Sequence, residues 1–257
     1  MFKKGELVTI NSEEKKIVYV IEDINNTNAF LKGFTLRVKK CESLNNLEYA
    51  TNQIKEKEIK TINRVREQTL RGNKTRNKKQ AIFGTILHID GDETFLTSCM
   101  ELYKELDIYA WGLHMNEKNI KNIIVDVIDD LNPDIIVLTG HDFYNGKNLK
   151  ELTNYENSIE YMTATKKIRQ KFGKDDSIVI AGACSSNFEA LIASGANFAS
   201  SPKRINVHTY DPAVIAIKCA TTPFDQNVNF ENTLKYIING RDAYGGIETK
   251  GKMRLLL

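Results

Sequence analysis

From residue 81 onward the chain alternates short apolar runs with longer amphipathic ones, and this alternation constrains the fold more than any other feature. IFGTILHI (82–89), IYAWGLH (108–114), DIIVLTG (134–140) and SIVIAGA (177–183) are apolar runs of strand length. A strand that is apolar on both sides is covered on both faces, as in parallel sheets. Helical spacing separates the runs, over Phe95–Leu106 and Glu117–Leu131. In the second, Ile120, Ile123, Ile124, Val127, Ile128 and Leu131 recur at steps of three and four, with Asn116 placed as the cap. Further helices are expected near 155–172, from Asn187 to Ser194, from Pro212 to Ala220 and from Phe230 to Asn239, with a short strand at 197–201. The expected fold class is α/β, a mainly parallel sheet with helices on both faces.

The first 80 residues read differently. LVTI, KIVYVIED, AFLKG and TLRVKK are β-rich and broken by turn signals at Asn11-Ser12 and Asn25-Asn26. With KKGELV ahead of them, they read as a small SH3-like β-barrel over residues 1–50, a docking or structural module rather than a nucleic-acid binder. Residues 51–80 form a basic connector. Its first half has the character of a solvated helix, and the run after Leu70 lacks apolar spacing. The whole chain carries a net charge of +3, but residues 55–79 hold ten Lys/Arg against three Glu. The body is therefore slightly acidic, and contact with nucleic acid is confined to the connector. The third domain is 81–257. Four widely spaced cysteines without a CxxC pair argue against a zinc site or a disulfide framework. The N-terminus has no apolar core of a signal peptide, and nothing approaches a membrane span. A cytoplasmic location is expected.

Chemistry concentrates where two of the apolar runs end. SIVIAGACSS reads as a buried strand turning into a helix, with Ser185 or Ser186 capping it. Cys184 then lies at a helix N-terminus, where the dipole lowers a thiol pKa and favours the nucleophilic thiolate. DIIVLTGHD ends the same way at Gly140 and His141, and His141 precedes Cys184 by 43 residues. Parallel strands bring their carboxyl ends to one edge of the sheet, where α/β proteins bind ligands. The alternative is a small buried core cysteine. Of the other histidines, His88 lies inside a strand and reads as a core residue. His114 ends the second strand, and His208 is the rival base.

The pieces IIVLTGH and IVIAGAC resemble the caspase–gingipain–clostripain clan of cysteine peptidases. More narrowly, LHIDGD, PDIIVLTGHD, AGACSS, GANFASSP and GGIETKG are similar to the YabG family of sporulation-specific peptidases, across essentially the whole chain. The resemblance implies a caspase-like sheet and a cysteine protease that processes spore coat and other spore proteins in a sporulating cell. It implies protein substrates, no membrane, no cofactor and no metal. It makes Cys184 the nucleophile and His141 the general base, with the backbone N–H groups of Asp142 and Cys184 as oxyanion donors. The clan has Gly after its histidine; here Asp142 stands there. Asp90-Gly91-Asp92-Glu93 follows the first strand, where Asp90 and Asp92 would select Arg or Lys at the residue before the cut; the alternative is a solvated or magnesium-binding acidic turn. Self-cleavage is expected near Arg71 or Arg76. Two other readings stand beside this one. One is a cysteine-elbow amidotransferase or hydrolase using His208, although Ser186 occupies the place of the usual glycine. The other is a spore-associated scaffold or nucleic-acid-binding protein.

Overall fold

The computed structural model describes residues 2–14, 16–73 and 81–256. Strands β1 (Leu7–Ile10), β2 (Tyr19–Ile24), β3 (Asn28–Gly33), β4 (Lys39–Ser43) and β5 (Leu47–Tyr49) form an antiparallel sheet in the order β4-β3-β2-β1-β5. Alternation sets its faces: Ala29 and Leu31 point inward while Phe30 between them is exposed. The barrel closure expected from the sequence is not shown, since no pairing joins β4 to β5 among the described residues.

Helix α1 (Asn52–Asn73) follows. It runs three residues past Leu70, because its last turns are not solvated all round: Val65, Thr69 and Asn73 are buried. Thr69 Oγ1 and Asn73 Nδ2 donate to carbonyls one turn back, and Arg66 pairs with Glu105.

A second sheet holds the body of the chain. After β6 (Ala81–Ile82) come β7 (Ile86–Asp90), α2 (Glu93–Glu105), β8 (Ala110–His114), α3 (Glu117–Leu131), β9 (Ile135–Thr139), α4 (Ser158–Lys171), β10 (Ile178–Ala181), α5 (Phe188–Ala193) and β11 (Phe198–Ser200). Then follow α6 (Asp211–Thr221), α7 (Phe230–Leu234), α8 (Gly240–Ala243), β12 (Tyr244–Gly246) and β13 (Arg254–Leu255). The sheet order is β8-β7-β9-β10-β11-β12, with β6 and β13 pairing separately. The first five strands are parallel and β12 runs antiparallel on β11. Register is direct: Ile86 faces Ile135, and Asp90 faces Thr139.

Both faces are covered. Ile135 and Val137 pack with residues of α2 and α6 and with the inward residues of the N-terminal sheet, in one continuous core. Ile136 and Leu138 pack with α3, α4 and α5 in a second core. Asp92 caps α2 by accepting from the Phe95 N–H, Asn116 caps α3 through Lys118, and Asn132 ends α3 in the left-handed conformation. The helix expected over Phe230–Asn239 stops at Leu234, and the chain turns through Gly240 at φ +48° into α8. The edge strand β12 has no sequence signal, because Tyr-Gly-Gly lacks the branched residues that mark strands. Among the described residues no helix is long and apolar enough to cross a membrane.

Ile136 sits in the central strand with no exposure. Ile136→Ala should cost about 2–5 kcal/mol, measured as a lower denaturant midpoint with unchanged slope. A loss under about 1 kcal/mol would mean the core on this face is not close-packed.

Candidate active site

Consecutive strands change direction of advance between β7 and β9, and at such a switch point the crevice opens at the strands' carboxyl ends. Asp90, Asp92 and His141 gather there.

His141 follows β9 through Gly140, whose φ of +151° favours glycine. Its backbone N–H donates to Glu117 Oε1 at 2.8 Å, and its ring Nδ1 lies 3.3 Å from the same oxygen. The far nitrogen, Nε2, lies 3.5 Å from Asp92 Oδ2 but makes no hydrogen bond. The His141 carbonyl accepts from Asn157 Nδ2 and the Tyr161 hydroxyl, so the turn is fixed from behind. Glu117 fits because two glycines face it. A Cβ at Gly91 would come within 2.0 Å of its Oε1, and one at Gly140 within 2.4 Å. Burial disfavours the His141 cation, but Asp92 and Glu117 outweigh it and raise its pKa. Burial pushes the two carboxylates up, but His141 and backbone N–H groups bring both below their usual range.

Cys184 is placed otherwise than expected. Helix α5 begins at Phe188 and is capped by Asn187, which accepts from the Ala190 N–H. Ser185 takes φ +57° and breaks the path into the helix. Its N–H donates to Ser201 Oγ, and Ser186 Oγ accepts from the Ala183 N–H. Neither serine caps the helix, so the dipole does not act on Cys184. The thiol is 1% exposed, and burial pushes its pKa up to about 12, the reverse of the expected fall. Its Sγ accepts from the Val207 N–H at 3.1 Å.

No hydrogen bond joins His141 to Cys184 among the described residues. Their loops, however, are tied together. Asp142 Oδ2 accepts from Ser186 Oγ at 2.8 Å and from Ser158, and Oδ1 accepts from the Asn157 and Phe143 N–H groups. The Asp142 side chain, where a glycine was expected, thus fastens the histidine loop to the cysteine loop and to the start of α4. Among the described hydrogen bonds, neither the Asp142 nor the Cys184 backbone N–H has an acceptor.

Asp90 is completely buried. Arg37 Nη1 meets its Oδ2 at 2.6 Å, and the Asp92 N–H donates to Oδ1 at 3.0 Å. Asp92 is taken up by the α2 cap, by Lys32 at 3.1 Å and by its approach to His141. His88 is a core residue bonded to the Tyr103 hydroxyl at 2.8 Å. His114 is exposed at the end of β8. His208 is buried, and burial followed by Arg37 pushes its pKa down to about 3. Arg71 is in the last turn of α1, bonded to Glu67, and Arg76 lies outside the described residues. A cleft runs between α2 and the outer strand β8, along Leu96, Met100, Tyr109 and His114. Neither His141 nor Cys184 borders it.

Sequence reading missed Glu117 and Arg37. A signal for Glu117 existed in Gly91 and Gly140, two glycines ending neighbouring strands and leaving room for something. Arg37 gave none, being one basic residue among several in TLRVKK.

The raised His141 pKa means its bonding is complete below the ordinary 6.5 and is lost as pH rises through the folded value. The lowered Glu117 pKa contributes stability above the ordinary 4.5 and loses it as pH falls. The pair is at full strength between these limits. Glu117→Gln should raise the His141 acid dissociation constant roughly tenfold, followed by NMR titration of the imidazole. An unchanged titration would remove Glu117 as its partner. With iodoacetamide the exposed Cys41 should alkylate well before Cys184.

Residues 3–257 match the family described as YabG peptidase U57. A relative from Bacillus subtilis (strain 168), named sporulation-specific protease YabG, is 40% identical over 175 residues. That match covers 67% of this chain and 60% of the relative, so the chain spans about three fifths of that relative's length. On the family match over nearly its whole length, the chain belongs to the YabG peptidase U57 family.

Proposed function

We propose that the chain is a cysteine endopeptidase that cuts proteins of the forming spore, coat proteins among them, after arginine or lysine. The observation that carries this reading is the convergence of the His141 and Cys184 loops at the carboxyl edge of the sheet, pinned by the Asp142–Ser186 hydrogen bond. Family membership and the printed name of the Bacillus subtilis relative support it. The strand order, five parallel strands and an antiparallel sixth, is compatible with a caspase-like sheet.

The chemistry follows from the residues. His141 takes the Cys184 proton, and the thiolate attacks the scissile carbonyl carbon. Electrons move to the carbonyl oxygen, which the unpaired N–H groups of Asp142 and Cys184 receive, donors of a kind worth roughly 2.7–4 kcal/mol each. The carbon–nitrogen bond breaks as His141 returns its proton to the leaving amine. Water then attacks the thioester, giving its proton to His141, and the thiol is released. Glu117 holds Nδ1 throughout, leaving Nε2 for the reaction. Since Sγ now faces Val207, catalysis requires it to turn toward Nε2. His208 is the poorer base: its pKa is driven too low to accept a proton near neutrality.

Asp90 is the carboxylate proposed to receive the basic side chain before the cut, while Asp92, spent on the α2 cap and His141, is not. Self-cleavage at Arg71 would need α1 to unwind there, because a peptidase takes extended chain, so that proposal falls to Arg76.

Wild type and Cys184→Ala should be incubated with a denatured arginine-rich protein and read by intact mass. Fragments ending in Arg or Lys are expected from wild type alone, and His141→Ala should slow their appearance by ~10²–10⁴. Equal fragmentation by Cys184→Ala would sink the reading, and fragments ending in other residues would remove the Asp90 assignment.

A further inference from the structure

The strap between β3 and β4 lies across the site. Thr35, Leu36 and Arg37 run antiparallel to Val207, His208 and Thr209. The Arg37 N–H donates to the Val207 carbonyl at 2.9 Å, and the Thr209 N–H donates to the Thr35 carbonyl at 3.0 Å. An extended peptide added to a free backbone edge is one of the recurring ways proteins hold peptides. This edge adjoins the nucleophile, because the Val207 N–H is the group that holds Cys184 Sγ.

The Arg37 side chain goes further in. Its Nη1 meets Asp90 at 2.6 Å and its Nη2 donates to the Thr209 carbonyl at 2.9 Å. The guanidinium lies 5.2 Å from the centre of the Phe95 ring, and that ring is 6.4 Å from the His141 imidazole. One arginine therefore touches the acidic floor, the aromatic wall beside the base and the strand beside the thiol. It is entirely buried. Its fit is incomplete all the same: among the described residues Nε has no hydrogen-bond partner, and neither does Oδ1 of the buried Asp211. An arginine side chain matches carboxylates by a planar fork of donors, so a site built around one favours a guanidinium over an ammonium.

We infer that Asp90, Phe95 and the Thr209 carbonyl form the subsite for the substrate arginine, and that Arg37 occupies it as a resident pseudo-substrate. This inference rests on the peptidase reading above and adds the restraint on it. The N-terminal sheet acts as the plug that keeps Cys184 covered. Thr35 is bonded to Glu58 of α1, so the connector helix holds the strap in place. A substrate enters when the strap lifts, laying its own chain along 207–209 and its arginine into the vacated floor.

The test uses the full chain as wild type, Arg37→Ala and Arg37→Lys, with each also made as Cys184→Ala for binding. Two peptides differ only in Arg or Ala before the expected cut, and agmatine serves as a small guanidinium probe. Arg37→Ala should cleave the Arg peptide at least tenfold faster than wild type and leave the Ala peptide intact. Agmatine should inhibit that cleavage competitively. By calorimetry it should bind Arg37→Ala/Cys184→Ala and not Cys184→Ala alone. Where wild type cleaves the Arg peptide, a folded Arg37→Ala that cleaves it no faster overturns the inference, and absence of agmatine binding overturns it in every case. If Arg37→Ala fails to fold, Arg37→Lys decides in its place, since lysine keeps the charge but not the fork; a folded Lys variant at the wild-type rate overturns the inference. If agmatine binds the vacated site while no variant cleaves either peptide, the guanidinium subsite stands and the peptidase reading falls.

Discussion

The contact between Arg37 and Asp90 is the constraint on which the arrangement of the two sheets depends. It joins a loop of the antiparallel sheet to the end of a parallel strand, at 2.6 Å and with both side chains entirely buried. Burial works against the charge on each, and each is kept charged by the other: Arg37 is raised and Asp90 lowered against the pull of desolvation. Such pairs add little net stability over apolar packing, but removing one partner leaves a stranded charge that costs roughly 3–5 kcal/mol. Against a total of about 5–15 kcal/mol for a domain, that is enough to dictate where the N-terminal sheet sits. The shared apolar core makes the contact broad, while the ion pair makes it specific.

The site is organised by a second buried carboxylate with a different task. Among the described residues Asp142 makes no ion pair with Lys or Arg. It is held by two hydroxyls and two backbone N–H groups, and its pKa is raised by burial despite them. Its bonds run to the cysteine loop, to the start of α4 and to its own turn. Fixing the two loops through one residue also fixes the backbone N–H groups of Asp142 and Cys184, the proposed oxyanion donors, which have no acceptor among the described hydrogen bonds. Catalytic groups held on rigid elements with their partners already in place need little reorganisation at the moment of reaction.

The parallel sheet was legible because its physics is local. Strands buried on both faces must be apolar throughout, and Ile135–Thr139 and Ile178–Ala181 are buried at every position. Helix α3 was legible to the residue because its spacing and its Asn116 cap agree. That the loops carrying His141 and Cys184 leave the same edge of the sheet followed from parallel pairing alone. What was not legible depends on backbone conformation or on distant partners. One left-handed residue, Ser185, moves the start of α5 to Phe188 and removes the dipole from the thiol. Arg37 reaches Asp90 across 53 positions, and nothing in either segment announces the other. Tyr244–Gly246 becomes a strand only because β11 offers it an edge.

Of the two titratable groups of the proposed dyad, the thiol alone is displaced against reaction. Burial keeps the thiol neutral, with its pKa pushed up to about 12, while Asp92 and Glu117 favour the imidazolium. As it stands the site holds a neutral nucleophile and a histidine disposed to keep its proton. In the proposed restraint, two movements would free the thiol. Lifting the strap hydrates Cys184 and removes the desolvation that holds its proton. Turning Sγ from Val207 toward Nε2 then sets a thiolate beside a cation, and each stabilises the charge of the other. In that proposal, covering the thiol and suppressing its ionisation are one effect of one segment.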